Sequence, residues 1–178
     1  MRRLVSMLRS AGFTLLELLV VLFVLAMMAG LATFSMGRPG NQLSTEAERL
    51  FGVLNLAAEE AVLTNSQLGL RVAVSAGAQE YLYQWFTWKD LEWTAQAATP
   101  FNEAVLGQGL EVALKVEGMN ISLPPRVLAS GKAVPQVHFL SSGESTEFEL
   151  AVIDSETGRQ RRIIGSGFSE FVLEEAVE

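Results

Sequence analysis

From Phe13 to Phe34 the chain is apolar at every position except Thr14, Glu17 and Thr33. As a helix rising about 1.5 Å per residue, this run would extend roughly 33 Å, enough to cross the roughly 30 Å hydrocarbon core of a bilayer. The pattern predicts a membrane-spanning helix over 13–34. Gly37, Arg38, Pro39, Gly40 and Asn41 then punctuate it, because proline lacks the amide donor and glycine is a poor helix former. Helix is expected to resume with Ser44 as cap. Leu43, Ala47, Leu50, Leu54, Ala57, Ala58, Ala61 and Val62 recur at three-and-four spacing, with Glu46, Glu48, Arg49, Asn55, Glu59 and Glu60 on the other side. This amphipathic segment, within 35–66, continues the stalk and should lie against a sheet, with Thr64, Asn65 and Ser66 ending it.

Beyond it the period changes from helical to twofold. Leu68, Leu70, Val72 and Val74 alternate with a mostly wet Gln67, Gly69, Arg71 and Ala73. Tyr81 to Trp88 is apolar on both faces, as a central strand would be. Lys89 to Trp93 either extends that strand or turns back as its hairpin partner. Thr94 to Gly109 is weakly patterned and reads as a long loop. Leu110 to Glu117 alternates cleanly, Ile121 and Leu123 suggest a short strand stopped by Pro124 and Pro125, and Gln136 to Leu140 forms another. Phe148, Leu150 and Val152 face inward on a strand from Thr146 to Asp154. Ser155 to Gly158 is a turn, and Arg161–Ile164 and Phe168–Leu173 complete a run of short strands typical of a sandwich or paired antiparallel sheets. The tail from Glu174 to Glu178 is expected to fray. Residues 67–178 are thus a β-rich domain.

Charge decides what kind of span opens the chain. Arg2, Arg3 and Arg9 precede it with no acidic residue among them, which keeps the amino end cytoplasmic and sends the body to the other side. Two features set it apart from an ordinary signal or anchor. A carboxylate inside the bilayer costs on the order of 3 kcal/mol, so Glu17 needs an interface or a partner. The small residue suited to cleavage, Gly12, lies before the apolar run, whereas a secretory signal is cut after it. Cleavage between Gly12 and Phe13 would remove the arginines as a leader, residues 1–12, and create an amine four residues from Glu17, free to meet the Glu17 of a neighbouring copy. The plainer alternatives are an anchor with an incidental glutamate and a signal cut near Gly30, Leu31 and Ala32.

Gly12-Phe13-Thr14-Leu15-Leu16-Glu17, a basic leader before it and a long apolar run after it, resembles the amino-terminal signature of type IV pilins and type II secretion pseudopilins. The later stretches, Leu68 to Val72, the aromatic strand with Tyr81, Tyr83 and Trp85, and Val137 to Thr146, are similar to those of the H-type minor pseudopilins. This resemblance implies an α+β pseudopilin fold: a long amino-terminal helix, transmembrane half plus amphipathic half, packed on two antiparallel β-sheets. It implies that a prepilin peptidase cuts after Gly12, that Phe13 is N-methylated, and that Glu17 contacts the terminus of an adjacent subunit during assembly. It also implies a single-pass inner-membrane protein with a periplasmic body. Its partners would be the other minor pseudopilins, the major pseudopilin and the inner-membrane assembly platform, and its place would be the tip of a pseudopilus that exports folded proteins. One departure is that many relatives carry a proline well inside the apolar helix and this chain does not. A minor pilin of a type IV pilus is the alternative within the same assembly class.

Composition narrows the chemistry. The formal charge of −7 becomes −10 once the leader's three arginines are gone, so nucleic acid is not an expected partner. Arg159, Arg161 and Arg162 form the one basic cluster beyond the leader and read as a solvated turn face. No cysteine is present, which excludes disulfides and thiolate metal ligation. His138 is the single histidine, read as a surface-facing strand residue, and a triad with Ser141 or Ser142 and Asp154 lacks the nucleophile elbow of a hydrolase. Glu144, Glu147, Glu149, Asp154 and Glu156 lack the alternating pattern that hard cations favour. Trp85, Trp88 and Trp93 suit core packing better than a binding patch. No cofactor and no catalysis are expected; a membrane-tethered periplasmic hydrolase is the remote alternative.

Overall fold

The computed structural model describes residues 15–23, 39–75, 80–126, 133–168 and 170–175. Residues 15–23 are helical (α1) and belong to a unit, Met1–Arg38, separate from the body, Pro39–Glu178.

The body opens with helix α2, Pro39–Leu63. It starts ahead of the expected Ser44 because proline, with its fixed φ and absent N–H, suits a first helical turn, where amides are unpartnered anyway. Leu43, Ala47, Leu50, Leu54, Ala57, Ala58 and Ala61 are buried, as the spacing predicts, whereas Val62 is exposed. The alanines let the helix backbone settle close onto the sheet. Its end is a Schellman arrangement: the Ser66 amide donates to the Ala61 carbonyl, the Asn65 amide donates to Val62, and Asn65 takes φ 49°. Thr64, Asn65 and Ser66 thus stop the helix as expected.

Ten strands follow: β1 (Leu68–Val74), β2 (Tyr81–Lys89), β3 (Glu92–Ala95), β4 (Ala104–Val105), β5 (Leu110–Val116), β6 (Met119–Asn120), β7 (Val137–Phe139), β8 (Glu144–Asp154), β9 (Gln160–Phe168) and β10 (Phe171–Glu175). They make two antiparallel sheets, β7-β1-β2-β3 with β4 on β2, and β10-β9-β8-β5-β6. Strand β8 belongs to both. Its Ser145 pairs with Phe139 of β7, and from Phe148 onward the same edge pairs with β5, beyond a bulge between Glu144 and Glu147. A bulge adds twist, and here it marks where the sheets part. Helix α2 covers the face bearing Leu70, Val72, Tyr83, Trp85, Val137, Phe139, Phe148, Leu150, Val152 and Ile163, all buried in one core.

The structure corrects several expectations. The span from Thr94 to Gly109 holds the end of β3 and all of β4, and its Phe101 ring meets Trp85 edge-on at 5.4 Å between centroids. Of the two expectations for Lys89 to Trp93, the hairpin is the one that stands, with Asp90 and Leu91 both at positive φ in a two-residue turn. A similar turn at Glu117 and Gly118 places β6 at Met119–Asn120, so Ile121 and Leu123 lie outside any strand. The second face of β1 is not wet: Gly69 and Ala73 are buried. Glu174 and Glu175 do not fray but pair in register with Arg162 and Arg161.

Candidate functional site

Of the residues singled out at the amino end, Gly12 and Phe13 lie outside the described residues. Glu17 sits on α1 among Leu15, Leu16 and the run Leu18 to Phe23, every one of them exposed, from 47% at Val21 to 82% at Leu15. Glu17 apart, this stretch is apolar on every side of the helix, a pattern suited to lipid or partner helices rather than to water. Among the described residues no helix is long and apolar enough to cross a membrane; of the expected span, Phe13, Thr14 and Val24 to Phe34 lie outside them.

In the body, the imagined catalytic constellation is not assembled. Asp154 lies at the far end of β8, where its Oδ1 accepts the amides of Glu156 and Thr157 at 3.0 Å each. Those bonds, that from Thr157 foremost, hold its carboxyl below the usual range. His138 instead neighbours Thr146, whose Oγ1 is 3.4 Å from Nδ1. The acidic set is dispersed into other work: Glu149 pairs with Lys115 at 3.2 Å and Arg162 at 3.6 Å, and Glu144 accepts a bond from the Ser142 hydroxyl at 3.2 Å. Among the described residues no group of three or more His, Asp or Glu side chains is placed to hold a metal.

The basic cluster also differs from its expected role. Arg161 and Arg162 lie on β9 rather than on a turn, and their side chains project to opposite faces. Arg161 is 2.9 Å from Glu175 and 3.9 Å from Glu48, and it donates to the Ser44 hydroxyl, so it ties α2 to β9 and β10. Arg162 reaches Glu174 and Glu149 on the other face.

One concave feature of the body lies on the face of the first sheet turned away from α2. A cleft of about 550 Å³ is lined by Gln67, Trp88, Trp93, His138, Leu140 and Glu144, with Thr146 and Phe168 closing its far side. Trp85 is in the core, but Trp88 and Trp93 leave it: they stand opposite each other across the β2–β3 hairpin, ring centroids 5.3 Å apart and edge to face. Trp93 in turn stacks on His138 at 5.2 Å and 26°. His138 is on the outer face of its strand, as expected, but half-buried there, and burial pushes its pKa below the ordinary 6.5. Sequence reading missed this grouping, including the exposed Phe168. The signal was present only in combination, because Trp88, Trp93 and His138 share a face once the register of four strands is known.

Comparison with known proteins gives a consistent result. Residues 46–167 match the family described as "Type II transport protein GspH", and residues 7–33 match the "Prokaryotic N-terminal methylation motif". Type II secretion system protein H of Pseudomonas aeruginosa PAO1 is 32% identical over 173 residues, covering 89% of this chain and 92% of that protein. The protein of the same name from Aeromonas hydrophila is 29% identical, covering 81% of each. Among solved structures, the minor pseudopilin EpsH of Vibrio cholerae superposes with a TM-score of 0.62 at 22% identity, over 78% of this chain and 96% of that one. The solution structure of E. coli GspH gives 0.55 at 19% identity, over 80% and 95%. Those two likenesses speak to the fold.

Proposed function

The chain belongs to the GspH family and is a minor pseudopilin of the type II secretion system, and from that premise we propose how its two parts are used. Residues 1–12 are a leader that a prepilin peptidase removes after Gly12. Phe13 then becomes the N-methylated terminus, and 13–34 hold the chain in the inner membrane with its body in the periplasm.

Assembly rests on Glu17. Its carboxylate is the one charge within the apolar run, and in a medium that penalises an uncompensated ion the favourable resting place is beside the terminal amine of a neighbouring subunit. Pairing of this kind selects a register between adjacent helices, because a shift by one turn separates the charges. The body adds no chemistry to this and acts as a structural subunit. We place it at the tip of the pseudopilus, among the other minor pseudopilins and above the major one, in contact with the assembly platform while it is inserted.

The observation that carries this reading is the co-occurrence, in one chain, of the methylation motif over 7–33 and the family match over 46–167. Intact-mass analysis and amino-terminal sequencing of protein recovered from membranes tests it. The expected terminus is a methylated Phe13; a retained Met1 in cells with an active peptidase, or a terminus beyond Ala32, would overturn it.

A further inference from the structure

The cleft beside Trp88 and Trp93 serves neither the core nor the amino-terminal assembly signature. Trp88, 37% exposed, Phe168, 66% exposed, and Leu140 give it aromatic and aliphatic walls, and Gln67, Ser145 and Thr146 add neutral polar ones. A single charged side chain lines it, Glu144, and no lysine or arginine does. The nearest basic residue in sequence, Lys89, alternates with Trp88 along β2 and so projects to the opposite face, across from Glu92. Glu147 and Glu170, both exposed, stand close to this region along β8 and just beyond β9.

These features select among ligand chemistries. An acidic segment would meet Glu144 as a like charge. A purely apolar segment would strip water from the Glu144 carboxylate and leave it only the Ser142 hydroxyl, which is costly for an ion. A basic side chain satisfies every wall: its aliphatic stem lies along Leu140 and Phe168, its cationic head sits against an indole, and the carboxylate supplies the counter-charge. Because burial pushes the His138 pKa down, its imidazole is neutral at neutral pH and places no competing cation in the cleft.

We propose that this cleft is a docking site for an arginine or lysine side chain presented by a basic segment of another protein chain, with Trp88 and Trp93 as the aromatic wall and Glu144 as the counter-ion. The geometry fits one such side chain rather than a continuous polybasic surface, since the cleft offers one carboxylate. The cleft lies on the sheet face turned away from α2, so docking here does not compete with the packing of that helix on the core.

The test uses the full mature chain in a nonionic detergent and follows the indole N–H resonances by NMR during titration with a capped peptide of alternating glycine and arginine. Matched glycine–glutamate and glycine–leucine peptides are the comparators. The expected result is saturable movement of the Trp88 and Trp93 resonances with the arginine peptide only, the deeply buried Trp85 staying still. Binding should weaken by about twofold to fivefold in Glu144→Gln and in Trp88→Ala, the scale of losing one exposed ion pair or cation–π partner, and should fade with added salt. Absence of saturable shifts, equal response to the glutamate or leucine peptide, or undiminished binding by Glu144→Gln would each overturn the proposal. Glu144 is exposed, so that variant reports on the site even if Trp88→Ala disturbs the hairpin.

Discussion

Trp93 stacks on His138 across the first sheet, although the two residues belong to strands separated by β1 and β2. The indole reaches that far because β1 carries glycine at Gly69, paired on one side with His138 and on the other with Phe86. A Cβ built there would overlap the ring of Pro135 and lie 3.1 Å from Trp93 Cζ3. Gly69→Val should therefore unstack the pair and destabilise the body by about 1–3 kcal/mol, the usual scale of overpacking. Chemical denaturation measures the loss, and a changed near-ultraviolet circular dichroism signal at unaltered far-ultraviolet signal reports the unstacking. A variant as stable as the parent with an unchanged aromatic signal would show that the space is not filled as described.

The same stack has a pH signature. Burial lowers the folded-state pKa of His138 below its ordinary 6.5, so at pH values beneath 6.5 the unfolded chain binds a proton that the folded chain resists. Stability from this group is fully present above pH 6.5, declines as the pH falls below it, and levels off under the folded pKa. Unfolding midpoints from pH 7.5 to pH 5 should show this decline in the parent chain and a flatter profile in His138→Phe. Identical slopes in the two would remove His138 as the cause.

How much of this was legible beforehand depended on whether a signal was local. The buried stripe from Leu43 to Ala61 follows from helical spacing alone, and the inward Phe148, Leu150 and Val152 follow from alternation; both stand in the structure. Wherever the outcome depended on a distant neighbour, the local pattern misled. Gly69 and Ala73 looked wet because nothing in their own strand indicates that Pro135 and Trp93 close over Gly69. Arg161 and Arg162 looked like a turn because their acidic partners lie on α2, β8 and β10. The candidate cleft was invisible for the same reason, since it needs the register of β7, β1, β2 and β3 together. At the amino end the methylation motif was readable because its spacing is linear, and residues 7–33 match it.

Arg161 supplies a test of how α2 is held. Its guanidinium is largely buried between Glu48 of the helix and Glu175 of the last strand, while those carboxylates are well exposed. Exposed partners limit each pair to a few tenths of a kcal/mol up to about 1 kcal/mol. Arg161→Met, which keeps the stem, should cost about 1 kcal/mol, and a double-mutant cycle with Glu175→Gln should return a coupling near 0.5 kcal/mol that shrinks in high salt. A coupling of zero at low salt would mean that the arginine acts by packing alone.

Leu54 makes the contrasting case, since it is fully buried at the helix–sheet junction and carries no charge. Leu54→Ala should cost about 2–5 kcal/mol, independent of salt, because the sheet beneath cannot collapse to fill the space. Thermal unfolding in low and high salt separates this from the Arg161 effect. A loss below 1 kcal/mol would indicate that α2 is loosely seated.

Glu17 separates anchoring from assembly. Leucines and valines surround it on α1, so replacing it removes the one residue that opposes partition into lipid, and Glu17→Ala should enter the membrane at least as readily as the parent. In the proposed processing a peptidase cuts between Gly12 and Phe13, ahead of Glu17 in the chain, so processing should be unchanged as well. What is lost is the charge that would recognise a neighbour's terminal amine, and neutral alanine leaves helix register unspecified. Fractionation and intact mass should therefore find normal amounts of mature, membrane-bound Glu17→Ala, while secretion in cells relying on it falls severely. Gly12→Leu should do the reverse, leaving the leader attached and blocking the step before assembly. Wild-type secretion by Glu17→Ala would count against charge pairing as the guide, and mature protein from Gly12→Leu would move the cleavage site elsewhere.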